Sequence, residues 1–102
     1  MYTDKNLEEW LINYQYPSID YDNKNFIKMQ IYFHKMVNAI NIAAHYIDQS
    51  DDLLKNLHRL GVNRPIGDTS IHLFNNKKEL IDCVIQLKLI FGETCKINTN
   101  FE

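Results

Sequence analysis

Apolar residues recur every three or four positions through Phe26, Met29, Phe33, Val37, Ile40, Ala44 and Ile47. That spacing predicts one α-helix over Asn25–Ile47, about six turns long. Met36, Ala39 and Ala43 widen the stripe, while Lys28, Lys35, Asn38, Asn41 and Gln49 fall mostly opposite it. A stripe so broad marks the central packing element of a domain. Asp48 to Asp52 then breaks the pattern with cap-forming and acidic residues, which suit the positive end of a new helix. Leu53, Leu54, Leu57 and Leu60 give that second helix, Asp51–Leu60, its apolar side, and Gly61 is placed to stop it.

On the N-terminal side, Leu7, Trp10, Leu11 and Tyr14 share a helical face, with Asn6 and Glu9 spaced as a capping box. Tyr16-Pro17-Ser18 ends this helix, because proline disfavours helical geometry in the residue before it. The polar, turn-rich stretch from Ile19 to Asn25 reads as a loop. On the C-terminal side, Gly61 to Asp68 is a connector broken by Pro65. Ser70 to Phe74 reads as either a brief extended segment or the entry to the next helix. Asn76 and Glu79 repeat the capping-box spacing. Leu80, Val84, Leu87 and Phe91 follow on one helical face, and Gly92 closes it. Glu93 to Glu102 reads as a polar, frayed tail. The expectation is therefore an all-α domain of four main helices, Leu7–Tyr14, Asn25–Ile47, Asp51–Leu60 and Asn76–Phe91, with no strand pattern.

Composition narrows the class. At 102 residues the chain makes a single small domain, 1–102, and its 45% hydrophobic content is ordinary for a globular protein. A net charge of −2 argues against a nucleic-acid binder or an anionic-membrane binder, which would carry a basic field. The first residues lack the apolar core of a signal peptide, and no apolar run reaches transmembrane length. A cytoplasmic protein is the default expectation. Cys83 sits in an apolar helical run and reads as a buried thiol, with a bridge to Cys95 left open.

The apolar run Met36-Val37…Ile40…Ala43-Ala44…Ile47-Asp48…Leu53…Leu57…Leu60-Gly61, continuing to Phe74 and Leu80…Phe91-Gly92, resembles the E to G helices of the globin family. Neuroglobin-like and nematode-type globins show a similar order of apolar positions. The resemblance covers Leu7 to Gly92, the C to G helix region, and implies a truncated globin-like fold whose family role is haem and diatomic gas (oxygen) binding. Position by position it places Tyr32 at the distal site, Lys35 beside a haem propionate and Met36 against the porphyrin. Leu60 and Phe74 would line the other side, and Trp10 stands where globins usually place a phenylalanine. The proximal histidine position falls on Arg64, whose protonated guanidinium has no free lone pair for iron. The resemblance thus implies a haem pocket whose expected ligand is replaced, so that tight histidine-ligated haem binding is lost.

Other chemistry is sparse. His34, His45, His58 and His72 form no pair at helical spacing and no cluster with cysteine, so no zinc site is expected. Cys83 has no orienting partners for nucleophilic catalysis, and Glu8-Glu9 and Asp51-Asp52 fit the first turns of helices. No enzyme is expected. The alternative to a globin-like domain is a small all-helical interaction protein, an inhibitor or adaptor, with no cofactor. Aromatic residues crowd the first half, among them Trp10, Tyr14, Tyr16, Tyr32 and Tyr46, and could build a groove or a self-association face. Exposed apolar surface then implies a homodimer or a protein partner.

Overall fold

The computed structural model describes residues 4–52, 54–55 and 70–101. Its elements are α1 (Asp4–Asn13), β1 (Asn25–His34), β2 (Ala39–Asp48), β3 (Ser70–Phe74), α2 (Lys77–Phe91) and β4 (Lys96–Phe101), with a 3-10 turn at Lys35–Val37 between β1 and β2. The strands form one mixed sheet in the order β3-β1-β2-β4. β1 runs antiparallel to both β2 and β3, and β4 runs parallel to β2. The fold is mixed α/β, not the expected all-α globin-like domain.

The correction centres on Asn25–Ile47, which is a β-hairpin and not a helix. Its register pairs Asn25 with Asp48 through His34 with Ala39. Two patterns compete along this stretch. The helical reading puts Val37 on the buried stripe and leaves Ile31 and Ile42 off it. In the structure Val37 is 64% exposed, and Ile31 and Ile42 are each 2% exposed. The period-2 row Ile27, Met29, Ile31, Phe33 and its partner row Ile40, Ile42, Ala44 bury more apolar surface, and their β-branched and aromatic content favours strand. Asn38 closes the turn with φ at 50°, in the left-handed region that asparagine tolerates better than most residues. The resemblance to globins fails with this helix.

One core lies between the sheet and the helices. Leu7 and Leu11 of α1 and Leu80, Val84, Leu87 and Phe91 of α2 pack against Ile27, Met29, Ile31, Ile40 and Ile42. Each such apolar side chain removed from water stabilises the fold by about 1.5–3 kcal/mol. α1 starts at Asp4, so Asn6 lies inside its first turn and not before it. α2 follows the sequence reading closely. Asn76 accepts the Glu79 amide at 3.0 Å as its N-cap. Glu79 does not complete the capping box, because its carboxylate accepts from Asn75 Nδ2 at 2.7 and 2.9 Å. Asn75 also accepts from the Asp20 amide and donates to the Ser18 carbonyl, which ties the loop before β1 to the start of α2.

The presumed polar tail is strand β4, paired with β2 from Ala39–Lys96 to Ala44–Phe101. Its entry is fixed by Asn38: the Lys96 amide donates to the Asn38 carbonyl at 3.0 Å, and Asn38 Nδ2 donates to the Thr94 carbonyl. Asp52, Leu54 and Lys55 are helical, and Leu54 packs with Phe26, Ile47 and Leu73 on the second face of the sheet. The rest of the expected Asp51–Leu60 helix and the Gly61–Asp68 connector fall outside the described residues. Among the described residues no helix is long and apolar enough to cross a membrane.

Candidate functional site

α1 and α2 close one face of the sheet. Among the described residues, the second face is covered at one end, by the Phe26, Ile47, Leu54 and Leu73 cluster packed with Ile19. Side-chain alternation and strand register fix what stands on the rest. Tyr32 of β1, Asn41 of β2 and Asn98 of β4 are neighbours in one row, and Gln30, Ala43 and Asn100 in the next. Ala43 is the low point, with Gln30 rising on the β1 side and Asn100 on the β4 side. These residues line a groove of about 390 Å³.

The groove's polar groups are only partly engaged. Asn98 Nδ2 donates to Asn41 Oδ1 at 2.9 Å, which aligns two amides across the β2–β4 pair. Gln30, Asn100 and the Tyr32 hydroxyl have no side-chain partner among the described residues. Tyr32 is 49% exposed and meets His34 edge-on at 6.0 Å between ring centroids. The Nδ1 of His34 is buried with no hydrogen-bond partner. Around the groove, Lys28, His45 and Lys96 share the face. Among the described residues no carboxylate occupies a strand position on it, although the whole chain carries net charge −2. Asp48 ends β2 on the opposite face, and the other acidic side chains among the described residues sit in helices and loops.

A second polar group lies inside the core, on the opposite side of the sheet. His72 of β3 is fully buried, with both ring nitrogens unpartnered, and stacks on Tyr16 at 5.0 Å and 8°. The Tyr16 hydroxyl is also buried without a partner, and burial pushes its pKa well above the ordinary tyrosine value. Tyr14 packs edge-on against Tyr16 and hydrogen-bonds the Cys83 thiol. Burial raises the Cys83 pKa to about 12 and lowers that of His72 to about 4. Both groups are therefore neutral near pH 7, a thiol and an uncharged imidazole. A thiol held so far from ionisation is a poor nucleophile. Cys83 and Cys95 are both free thiols.

Of the six residues expected around a haem, the four that are described, Tyr32, Lys35, Met36 and Phe74, are spread over a strand, a turn and the core. Tyr32 stands on the open sheet face. Lys35 and Met36 belong to the hairpin turn, where Met36 is 92% exposed. Phe74 is fully buried on the helix-facing side. Leu60 and Arg64 lie outside the described residues, as does His58. With the E-helix equivalent folded as a hairpin, Tyr32 stands on a strand and not on the helix that the globin resemblance required. Among the described residues, no three or more His, Cys, Asp or Glu side chains are grouped to hold a metal ion. Of the groove residues only Tyr32 was singled out in sequence. The signal for the others is period-2 polarity: Asn98 and Asn100 alternate, and so do Gln30 and Tyr32.

Comparison with protein families, with characterised proteins and with solved structures finds no match to this chain.

Proposed function

We propose that this chain is a small protein-interaction domain that holds its partner in the sheet-face groove around Tyr32, Asn41 and Asn98. The observation that carries the proposal is the groove over Ala43, walled by side-chain amides and a phenol whose hydrogen-bonding capacity is largely unspent within the fold. A rigid sheet presents such groups in fixed positions, so little ordering entropy is lost when a partner engages them. Tyrosine adds a large contact at low conformational cost, which is why it recurs at the centres of interfaces. The strand positions of this face carry no carboxylate among the described residues, and Lys28 and Lys96 at its margins favour a partner whose own surroundings are acidic. The partner here is a protein, not the haem that the globin resemblance implied, and no cofactor is invoked.

The test is paired affinity isolation from the native host, with the wild-type chain and a Tyr32→Ala/Asn98→Ala variant as baits. Any protein enriched by the wild type is then purified and titrated calorimetrically. A weakening of about 30-fold or more in the variant, with its circular dichroism unchanged, is the expected outcome. A partner held equally well by both forms, or a hydrogen-exchange footprint confined to the helices, refutes the reading.

A further inference from the structure

Independently of what the groove holds, we infer that two copies of this chain join edge to edge through β4, antiparallel about a two-fold axis at Thr99, merging their sheets into one. β4 is an outer strand, and no strand lies beyond it among the described residues. One bond fixes which of its backbone groups are spent. The Lys96 amide donates to the Asn38 carbonyl at 3.0 Å, so Lys96 turns its N–H toward β2. Backbone groups alternate sides along a strand. Lys96, Asn98 and Asn100 therefore bond β2, while Ile97, Thr99 and Phe101 aim N–H and C=O away from it. Natural edge strands are blunted by proline, bulges or inward charge. β4 has no proline, its register with β2 runs without a bulge, and its single charge stands at the first position.

A second copy is the occupant because β4 complements itself. With Thr99 on the axis, Thr99 exchanges both backbone bonds with its own copy, and Ile97 exchanges both with Phe101 on either side, so every outward residue is paired. A register centred on Asn98 instead carries Phe101 past the start of the opposing strand. Residues directly opposite share a face. On the helix side, half-buried Ile97 then meets half-buried Phe101, a β-branched residue against an aromatic one, and Thr99 meets Thr99; both kinds of pair stabilise a sheet. Thr99 is exposed, so the helix layer leaves room at this edge. On the other side Asn98 meets Asn100, which sets the two grooves next to each other on one face. The charges agree with this direction. Antiparallel pairing sends the two Lys96 side chains to opposite ends of the seam, where parallel pairing would stack them. Carried one position further, the register sets Lys96 against residue 102, a glutamate in sequence that lies outside the described residues.

The test is sedimentation equilibrium of the full chain from micromolar to millimolar concentration, with amide hydrogen exchange on the same samples. The expected mass rises from 12.1 kDa toward twice that value. The Ile97, Thr99 and Phe101 amides should gain protection as the dimer forms, while those of Lys96, Asn98 and Asn100 are already protected in the monomer. Thr99→Pro removes only an outward N–H and should weaken association by about tenfold or more. Thr99→Lys keeps every backbone group but sets like charges face to face; it should weaken association likewise, with partial recovery in high salt. It decides the matter should Thr99→Pro fail to fold. Thr99→Cys places two Cα atoms about 5.5 Å apart across the axis, within disulfide reach, and should cross-link under mild oxidation faster than Asn98→Cys, whose copies stand diagonally. A chain that stays monomeric throughout overturns the inference. So does a dimer unaffected by Thr99→Lys, one whose protection gain lies in the helices or the groove, or one that cross-links faster through Asn98→Cys.

Discussion

His72 shows how one residue can set a stability limit that contacts alone do not reveal. It is buried at 0% exposure with neither ring nitrogen paired, and its pKa falls from 6.5 to about 4 because burial penalises the charged form. Between those values the unfolded chain binds a proton that the folded chain excludes. Stability is therefore fully present above about pH 6.5 and is lost progressively as the pH falls toward about 4, by roughly 3 kcal/mol in all. Urea denaturation at a series of pH values should show this fall, and His72→Leu should flatten it. Because both nitrogens are already unsatisfied, the apolar replacement should not destabilise the protein at pH 7 by more than about 1 kcal/mol. A wild-type midpoint that stays constant from pH 7 to pH 4.5 would refute this account. Nothing in the linear sequence marks His72 as buried, because the Ser70–Phe74 segment is too short to show its period and its burial depends on Tyr16, more than fifty residues away.

Among the elements, α2 was legible and the hairpin was not. Helix Lys77–Phe91 carries its own local signals, with Asn76 as cap, one apolar face and Gly92 just beyond the end. These act within a few residues and hold wherever the helix packs. The hairpin is decided by non-local pairing. Met29, Phe33, Ile40 and Ala44 fit both a helical stripe and an alternating strand, while Ile27, Ile31, Val37 and Ile42 distinguish the two. Asn38 is the local feature that resolves the choice, since a left-handed residue cannot sit inside an α-helix. It also receives the Cys95 thiol on its side-chain oxygen at 3.4 Å and donates to the Thr94 carbonyl. Two substitutions separate these roles. Asn38→Gly keeps the backbone geometry and should cost about 1 kcal/mol through the lost ties to β4. Asn38→Val adds the strain of a β-branched residue at positive φ and should cost about 1–2 kcal/mol more. Equal losses for the two variants, measured by chemical denaturation, would show that the turn conformation carries no cost.

At the scale of the whole molecule, β4 joins the fold to the candidate site. It is the last strand in the chain, yet it pairs in parallel with β2, whose residues lie more than fifty positions earlier. Its sequence, Lys-Ile-Asn-Thr-Asn-Phe, looks like a solvated tail because an edge strand with one open face needs few apolar residues. Ile97 and Phe101 face the core, and Asn98 and Asn100 form one wall of the groove. The site was thus illegible for the same reason as the strand: its two walls come from strands far apart in sequence, and the sheet order is what places Gln30 across from Asn100. A chain ending at Glu93 should therefore fail in two measurable ways. Losing the buried Cys95, the two half-buried side chains of Ile97 and Phe101 and a ladder of backbone hydrogen bonds should cost at least roughly 3 kcal/mol. The uncovered edge of β2 would also expose unpaired backbone along an apolar strand, which promotes association between chains. Hydrogen exchange should show lost protection over Asn41–Ala44, and light scattering should show growing aggregates. A truncated chain that remains monomeric, with β2 protected and the groove still competent, would mean that β4 is dispensable to both the fold and the site.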